Sequence, residues 1–213
     1  MADQLIAIGV AHDRVVVIPN GIEVLRPPVP SPASEDLLVI ARHDPNKNLK
    51  GLMQALAFAQ QKLPAWGGVM RIVGRRVSSS VELQALRRAL PRPDGLELIE
   101  ELSPVQLLAT LRSSLALVSA SLEEGFDYPV LEAKAEGTPT LLSHIPVHEE
   151  FHTGSSLFFP AEGGEEAFAA GLSELLTDSR LWWDLSSAGR QLALSLSVTR
   201  QQRSLCAQMA ELS

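Results

Sequence analysis

Apolar and polar positions along this chain fall into two recurring patterns. Short, mostly aliphatic runs stand at residues 15–18, 37–41, 69–73, 96–99, 115–119 and 140–142, interrupted only by Arg71, Glu97, Ser119 and Thr140. A half-exposed strand would alternate polar and apolar side chains, so these runs predict strands covered on both faces. Between them, residues 49–62, 80–90, 103–111 and 129–136 carry amphipathic, helix-like patterns. The third opens with Ser103 as N-cap, Pro104 at the first helical position and Gln106 completing a capping box. Strand–helix alternation of this kind requires a parallel sheet with right-handed crossovers. The fold class expected is α/β, a Rossmann-like, doubly wound parallel sheet.

Two regions interrupt the alternation. Residues 24–35 contain Pro27, Pro28, Pro30 and Pro32 and predict an extended, semi-rigid connection. From Glu165 onward the pattern is helical, and Trp182 with Trp183 marks a packed or partner-facing patch. Composition changes this picture little: at 213 residues the chain can bury a core without staples. One cysteine, Cys206, rules out a disulfide framework and suggests a reducing compartment. No apolar run approaches the roughly 20 residues needed to span a bilayer, and no basic-then-apolar leader opens the chain. A cytoplasmic location is expected, with a peripheral position at the inner membrane open to an intact enzyme. The net charge of −7 argues against nucleic acid as a partner. It leaves room for a small phosphorylated ligand, which needs only one or two placed cations.

Candidate chemistry gathers where ligands of open parallel sheets gather, beyond the carboxyl ends of the strands. After 37–41 comes Arg42-His43-Asp44-Pro45-Asn46-Lys47-Asn48. After 69–73 comes Gly74-Arg75-Arg76, and after 115–119 comes Ala120-Ser121-Leu122-Glu123-Glu124-Gly125-Phe126-Asp127-Tyr128-Pro129. Glu124 precedes a helix start marked by Pro129, Glu132 lies one turn inside it, and Gly137 stands just past its end. Unpaired amides at such a start suit hydroxyls or an anion, and the two carboxylates can grip different parts of one elongated ligand. The plain alternatives are acids favoured by the helix dipole and solvated loop cations.

Glu124 and Glu132 stand in the E-x7-E arrangement, and here the chain resembles retaining GT-B glycosyltransferases of group 1, such as glycogen synthases and bacterial mannosyltransferases. Val17-Ile18-Pro19-Asn20-Gly21-Ile22-Glu23 resembles the passage into the second domain of such enzymes, and Gly137-Thr138-Pro139 and residues 143–150 match the segments after the glutamate loop. The resemblance covers nearly the whole chain. It implies the C-terminal half of a GT-B fold: a remnant of the N-terminal domain at 1–24, a nucleotide-sugar-binding domain at 25–178 and closing helices at 179–213. It also implies an enzyme, a hexosyltransferase, with a nucleotide-sugar donor (UDP-, GDP- or ADP-sugar), no cofactor and no metal. Arg42 and Lys47 would neutralise the donor's diphosphate and Glu124 would contact the transferred sugar. Glu132 would accept from the ribose hydroxyls, amides around Gly125 and Phe126 would complete the sugar pocket, and Gly74 and Arg75 would flank the donor.

The chain departs from that pattern in particular places. Asp127 replaces a second glycine after Glu-Gly-Phe, Glu100 and Glu101 replace glycine in the turn after 96–99, and Ala41 replaces glycine before Arg42. Nothing in these residues resembles the family's acceptor domain, with its glycine-rich loop and catalytic histidine, and the domain alone is expected to be inactive. Its partner would be that acceptor domain, in the same chain or in a separate subunit; alternatives are a non-catalytic or split subunit and a sugar-nucleotide epimerase of GT-B fold. His148-Glu149-Glu150-Phe151-His152 fits the H-E-x-x-H zinc pattern, extended by His144. Its short span between Pro146 and Gly154, inside an α/β series, speaks against zinc.

Overall fold

The computed structural model describes residues 2–24, 34–75 and 80–211. The chain runs α1 (Ala2–Ala7), β1 (Leu37–Ile40), α2 (Leu49–Lys62), β2 (Met70–Val73), α3 (Ser80–Arg88), β3 (Leu96–Ile99), α4 (Pro104–Ser113), β4 (Ala116–Ser119), α5 (Tyr128–Ala135), β5 (Thr140–Ser143), α6 (Pro146–His152), β6 (Leu157–Phe159), α7 (Glu165–Thr177), α8 (Ser179–Ser195) and α9 (Val198–Glu211). The strands form one sheet in the order β3-β2-β1-β4-β5-β6, every pair parallel. The expected α/β, doubly wound architecture is therefore the observed one. Strand order reverses between β1 and β4, which opens a crevice at their carboxyl ends.

The consecutive apolar runs are explained by two cores. Leu37, Val39, Ala116, Val118 and Leu141 face one side, against buried residues of α2, α7 and α8. Leu38, Leu117 and Leu142 face the other, with Leu111 of α4 and Val130 and Ala133 of α5. Because side chains alternate along a strand, only a sheet sandwiched between helices needs apolar residues at every position. Trp182 belongs to the first core: it is 2% exposed and its indole N–H donates to the Leu115 carbonyl at 2.9 Å. Trp183 packs edge-on against it and stays exposed. Ser103 and Gln106 form the capping box, and α5 ends at Gly137, whose φ of +77° suits glycine.

Two expectations about strands are corrected. Residues 15–18 form no strand among the described residues; Val16 and Val17 are exposed, because β-branched residues make a strand only where an edge is available to pair with. The chain instead joins the fold at Ile22, which bridges to Ser197 where α8 meets α9, while Gly21 lies too close to the Val198 backbone to carry a side chain. Conversely, Leu157–Phe159 is a strand that its three-residue length between Ser156 and Pro160 concealed. The prolines at 27, 28, 30 and 32 lie outside the described residues.

One buried charge stands out. Lys134 of α5 is 1% exposed, with its ammonium donating to the Ser155 carbonyl and to the Ser155 and Ser156 hydroxyls. Burial lowers its pKa from 10.5 to about 7. The unfolded chain therefore binds more protons between these values, so stability rises with pH across that window and is flat below it. Lys134→Met is expected to flatten the rise in melting temperature from pH 7 to pH 10, followed by circular dichroism. An unchanged slope would refute this assignment.

Candidate functional site

The loops after β1 and β4 meet across the crevice. Asn48 adopts a left-handed conformation (φ +48°), tolerable for asparagine because its short amide bonds locally. Its side chain accepts from the Gly51 amide at 3.3 Å, capping α2, and donates to the Ala161 carbonyl at 2.8 Å. That cap places Lys47 at the crevice rim. From the other side, the Leu122 amide donates to the Asn46 carbonyl at 2.9 Å and the Asn46 side-chain amide donates to the Glu123 carbonyl at 2.6 Å.

Within this stitching, Lys47 forms an ion pair with Glu124. The same Glu124 oxygen accepts from the Ser121 hydroxyl at 2.6 Å. Both charged side chains are mostly shielded, at 20% and 12% exposure, so their attraction is screened less than a surface pair's. Phe126 turns inward and anchors the loop, meeting Tyr128 and Phe151 edge-on at 5.3 Å each. Gly125 is the opposite case: it is exposed and a side chain there would meet no atom within 4 Å. Nothing in the fold itself demands glycine at that point.

Asp127 precedes α5 with φ +58°, a conformation that favours glycine. Its carboxylate does not cap the helix. It turns inward, accepting from the Ser119 hydroxyl at 2.6 Å and facing His148 Nε2 at 3.0 Å. Burial acts to raise its pKa, but the hydrogen bonds from His148 and Ser119 and the charge of Lys47 outweigh this, and the net shift is downward. Glu132, exposed on the next turn, is shifted upward, first by desolvation and then by the charge of Asp127.

The remaining candidates take other positions. Arg42 is not drawn to the Lys47–Glu124 pair: its side chain is 74% exposed and pairs with Asp44 at 2.8 Å. Arg75 is exposed, and its carbonyl accepts from the His43 amide at 3.2 Å; Arg76 lies outside the described residues. Gly74 is a packing glycine, since a Cβ there would be driven into the Ala41 carbonyl. The histidines of H-E-x-x-H point into the protein: His148 and His152 are fully buried on α6, whereas Glu149 is exposed beside His144. Burial and nearby Lys134 and His148 lower the His152 pKa to about 3, which keeps it neutral. Among the described residues no group of three or more His, Cys, Asp or Glu could hold a metal ion. A cleft of about 240 Å³ opens between the start of α2 and the turn before α7, lined by Asn48, Gly51 and Ala161 among others; Glu124 and Glu132 do not line it. Asn46, Ser119, Ser121 and His148 shape the site without having stood out in the sequence as its parts. Asp127, where the family resemblance implies a glycine, was the sequence signal that pointed toward them.

Comparisons with known proteins give a family and a fold. Residues 23–192 match the family described as glycosyl transferases group 1. A curated relative, the O-antigen chain mannosyltransferase RfbU of Salmonella typhimurium, is 34% identical over 87 residues, 41% of this chain and 25% of RfbU. Among solved structures, a point mutant of S. aureus TarM in complex with fondaparinux, alpha-GlcNAc-glycerol and UDP superimposes with a TM-score of 0.83 at 16% identity, over 96% of this chain and 41% of that one. The lipopolysaccharide outer core galactosyltransferase WaaB gives 0.80 at 18% identity, over 100% and 60%. A glycosyltransferase from Rickettsia africae gives 0.81 at 18% identity, over 98% and 60%. The chain thus spans a quarter of the curated relative's length and less than two thirds of each of these solved chains. Among the described residues no helix is long and apolar enough to cross a membrane.

The close backbone approach at Gly74 makes a direct prediction. Gly74→Ala should cost about 1–3 kcal/mol through forced backbone movement, read as a lower urea midpoint with an unchanged slope. An alanine variant as stable as the parent would remove the packing account of this glycine.

Proposed function

The chain belongs to the group 1 glycosyl transferases, and from that premise we propose that it binds the nucleotide-sugar donor of a retaining hexosyltransferase. The observation that carries this reading is the Lys47–Glu124 pair held at the switch point of the sheet, with Glu132 one turn into the helix that follows. A cation and two acids at one rim match the parts of a nucleoside-diphosphate sugar. Lys47, with Arg42 swinging in from its exposed position, neutralises the diphosphate and stabilises the charge that grows as the sugar–phosphate bond breaks. Glu124, already oriented by Ser121 and Lys47, accepts from hydroxyls of the transferred sugar. Glu132 accepts from the ribose hydroxyls, and the exposed backbone at Gly125 lies against the sugar. UDP in the complex of the structurally similar TarM mutant supports a nucleotide at such a site.

Transfer also needs an acceptor held against the donor, which is worth far more than binding alone. The exposed Ile8, Val16 and Val17 of the leading segment favour a second reading of how that is met. They offer apolar surface to an acceptor-binding part, in the same polypeptide or in a separate subunit. The lipopolysaccharide and O-antigen enzymes among the relatives support a saccharide or lipid-linked acceptor.

Calorimetry with UDP-, GDP- and ADP-sugars tests the donor reading; a folded protein that binds none of them would overturn it. Glu132→Ala should weaken binding by about tenfold or more, the loss expected for a hydrogen-bonded charged acceptor, while the melting temperature stays unchanged because the side chain is exposed. Gly125→Ala should separate the same two quantities, with stability kept and affinity lost. A parallel fall in stability would mean that glycine serves the fold instead.

A further inference from the structure

The two sequence features left unused by the donor reading, Asp127 in place of glycine and His148 of the zinc-like motif, meet each other inside the protein. We propose that Asp127 and His148 form a buried, proton-sharing pair that positions the Glu124 loop, a role that rests on the donor reading given above.

His148 is fully buried, with each ring nitrogen facing an oxygen: Nδ1 lies 2.8 Å from the Ser143 carbonyl and Nε2 lies 3.0 Å from Asp127 Oδ2. A carbonyl can only accept, so Nδ1 carries a proton. The contact at Nε2 then needs a second proton, either on the imidazole or on the carboxyl. The pair therefore holds one proton more than a neutral imidazole and a carboxylate, and together it is uncharged. A buried acid and base in this state cost less than either charge left buried and unpaired.

The pair ties three elements to the site. On one side, His148 on α6 bonds the end of β5 at Ser143, whose hydroxyl donates to the Ser121 carbonyl at 2.6 Å. The Ser121 hydroxyl in turn donates to Glu124. On the other side, Asp127 accepts from the Ser119 hydroxyl at the end of β4, two residues before Ser121 in the chain. These bonds close a ring around the loop from residue 119 to residue 127, with Glu124 and its partner Lys47 at the outer edge. The backbone favours glycine at Asp127, so the strain is accepted for the carboxylate. Glycine would satisfy φ +58° and leave His148 Nε2 without its acceptor. The charged and titratable groups coupled to the pair are Lys47 from the β1–α2 loop, Glu132 from α5 and His152 from α6, itself beside Lys134. Asp127 and His148 are positioning residues here, acting through Glu124 and Lys47.

Asp127→Gly separates positioning from folding, because it relieves the backbone while removing the pair. Binding of UDP-glucose, GDP-mannose and ADP-glucose to the whole chain is measured for the parent, Asp127→Gly, Asp127→Asn, His148→Gln and the Asp127→Gly/His148→Gln double variant from about pH 5.5 to about pH 9, the span in which histidine charge changes are read. The expected result is a loss of affinity of about tenfold or more in each single variant, the double variant losing no more than the worse single. The parent's affinity should also fall on the alkaline side as the shared proton leaves, a limb absent from Asp127→Asn and His148→Gln. Folded variants that bind within about twofold of the parent with its pH profile would overturn the proposal. If the parent binds no donor, the donor reading fails by itself. The positioning role is then judged by the imidazole ¹⁵N signals of His148 and by hydrogen exchange of amides 121–126. Faster exchange in Asp127→Gly upholds the clamp, and unchanged exchange overturns it.

Discussion

Opposite charges meet over this protein's sheet because the order of its strands reverses there. Where β1 and β4 lie side by side, their helices leave toward opposite faces, and the loops between strand and helix are parted by a crevice. Lys47 and Glu124 bridge that crevice, and the backbone bonds between residues 46 and 122–123 hold the bridge in place. The rest of the molecule serves this contact. The asparagine cap of α2 sets Lys47, the aromatic anchor of Phe126 sets the glutamate loop, and α5, buried along one face, presents Glu132 beyond them.

Beneath the rim lies a polar layer of an unusual kind for a parallel α/β fold. Asp127, His148, Ser119, Ser121 and Ser143 are hydrogen-bonded to one another, and Lys134 is satisfied by three oxygens a short way further in. Polar groups placed in a core cost stability unless every one finds a partner, and in return they specify one arrangement where apolar packing would admit several. Neither ring nitrogen of His152 has a partner among the described residues, and burial, followed by the charges of Lys134 and His148, lowers its pKa. A loop that must hold two acids and a lysine in register is where such specification is useful.

Family membership and fold reinforce each other without settling the same question. The match over residues 23–192 identifies the group, and similarity to solved glycosyltransferases at 16–18% identity identifies the fold alone. What distinguishes this chain within that setting are its own departures. Asp127 stands in a left-handed conformation that favours glycine, and its contact with His148 offsets the strained backbone.

By itself the sequence determined the elements and their layering, because both are local or nearly local properties. Consecutive apolar positions at 37–40 and 116–118 can be satisfied only between two helical layers, and the cap at Ser103 and the glycine at 137 mark helix ends from their immediate neighbours. It also marked Lys47, Glu124 and Glu132 by kind and spacing. Only the tertiary structure decided which of these meet. Lys47 reached Glu124 while Arg42 turned to Asp44, since the first contact depends on the register of loops 77 residues apart. The valines at 15–17 were denied a strand because no sheet edge was offered, and Leu157–Phe159 became one because β5 supplied it. The same rule governed His148: on paper it belonged to a short metal motif, and in space its partner was an aspartate 21 residues away. Pairing across distance depends on where the backbone has been carried, and no local pattern holds that information.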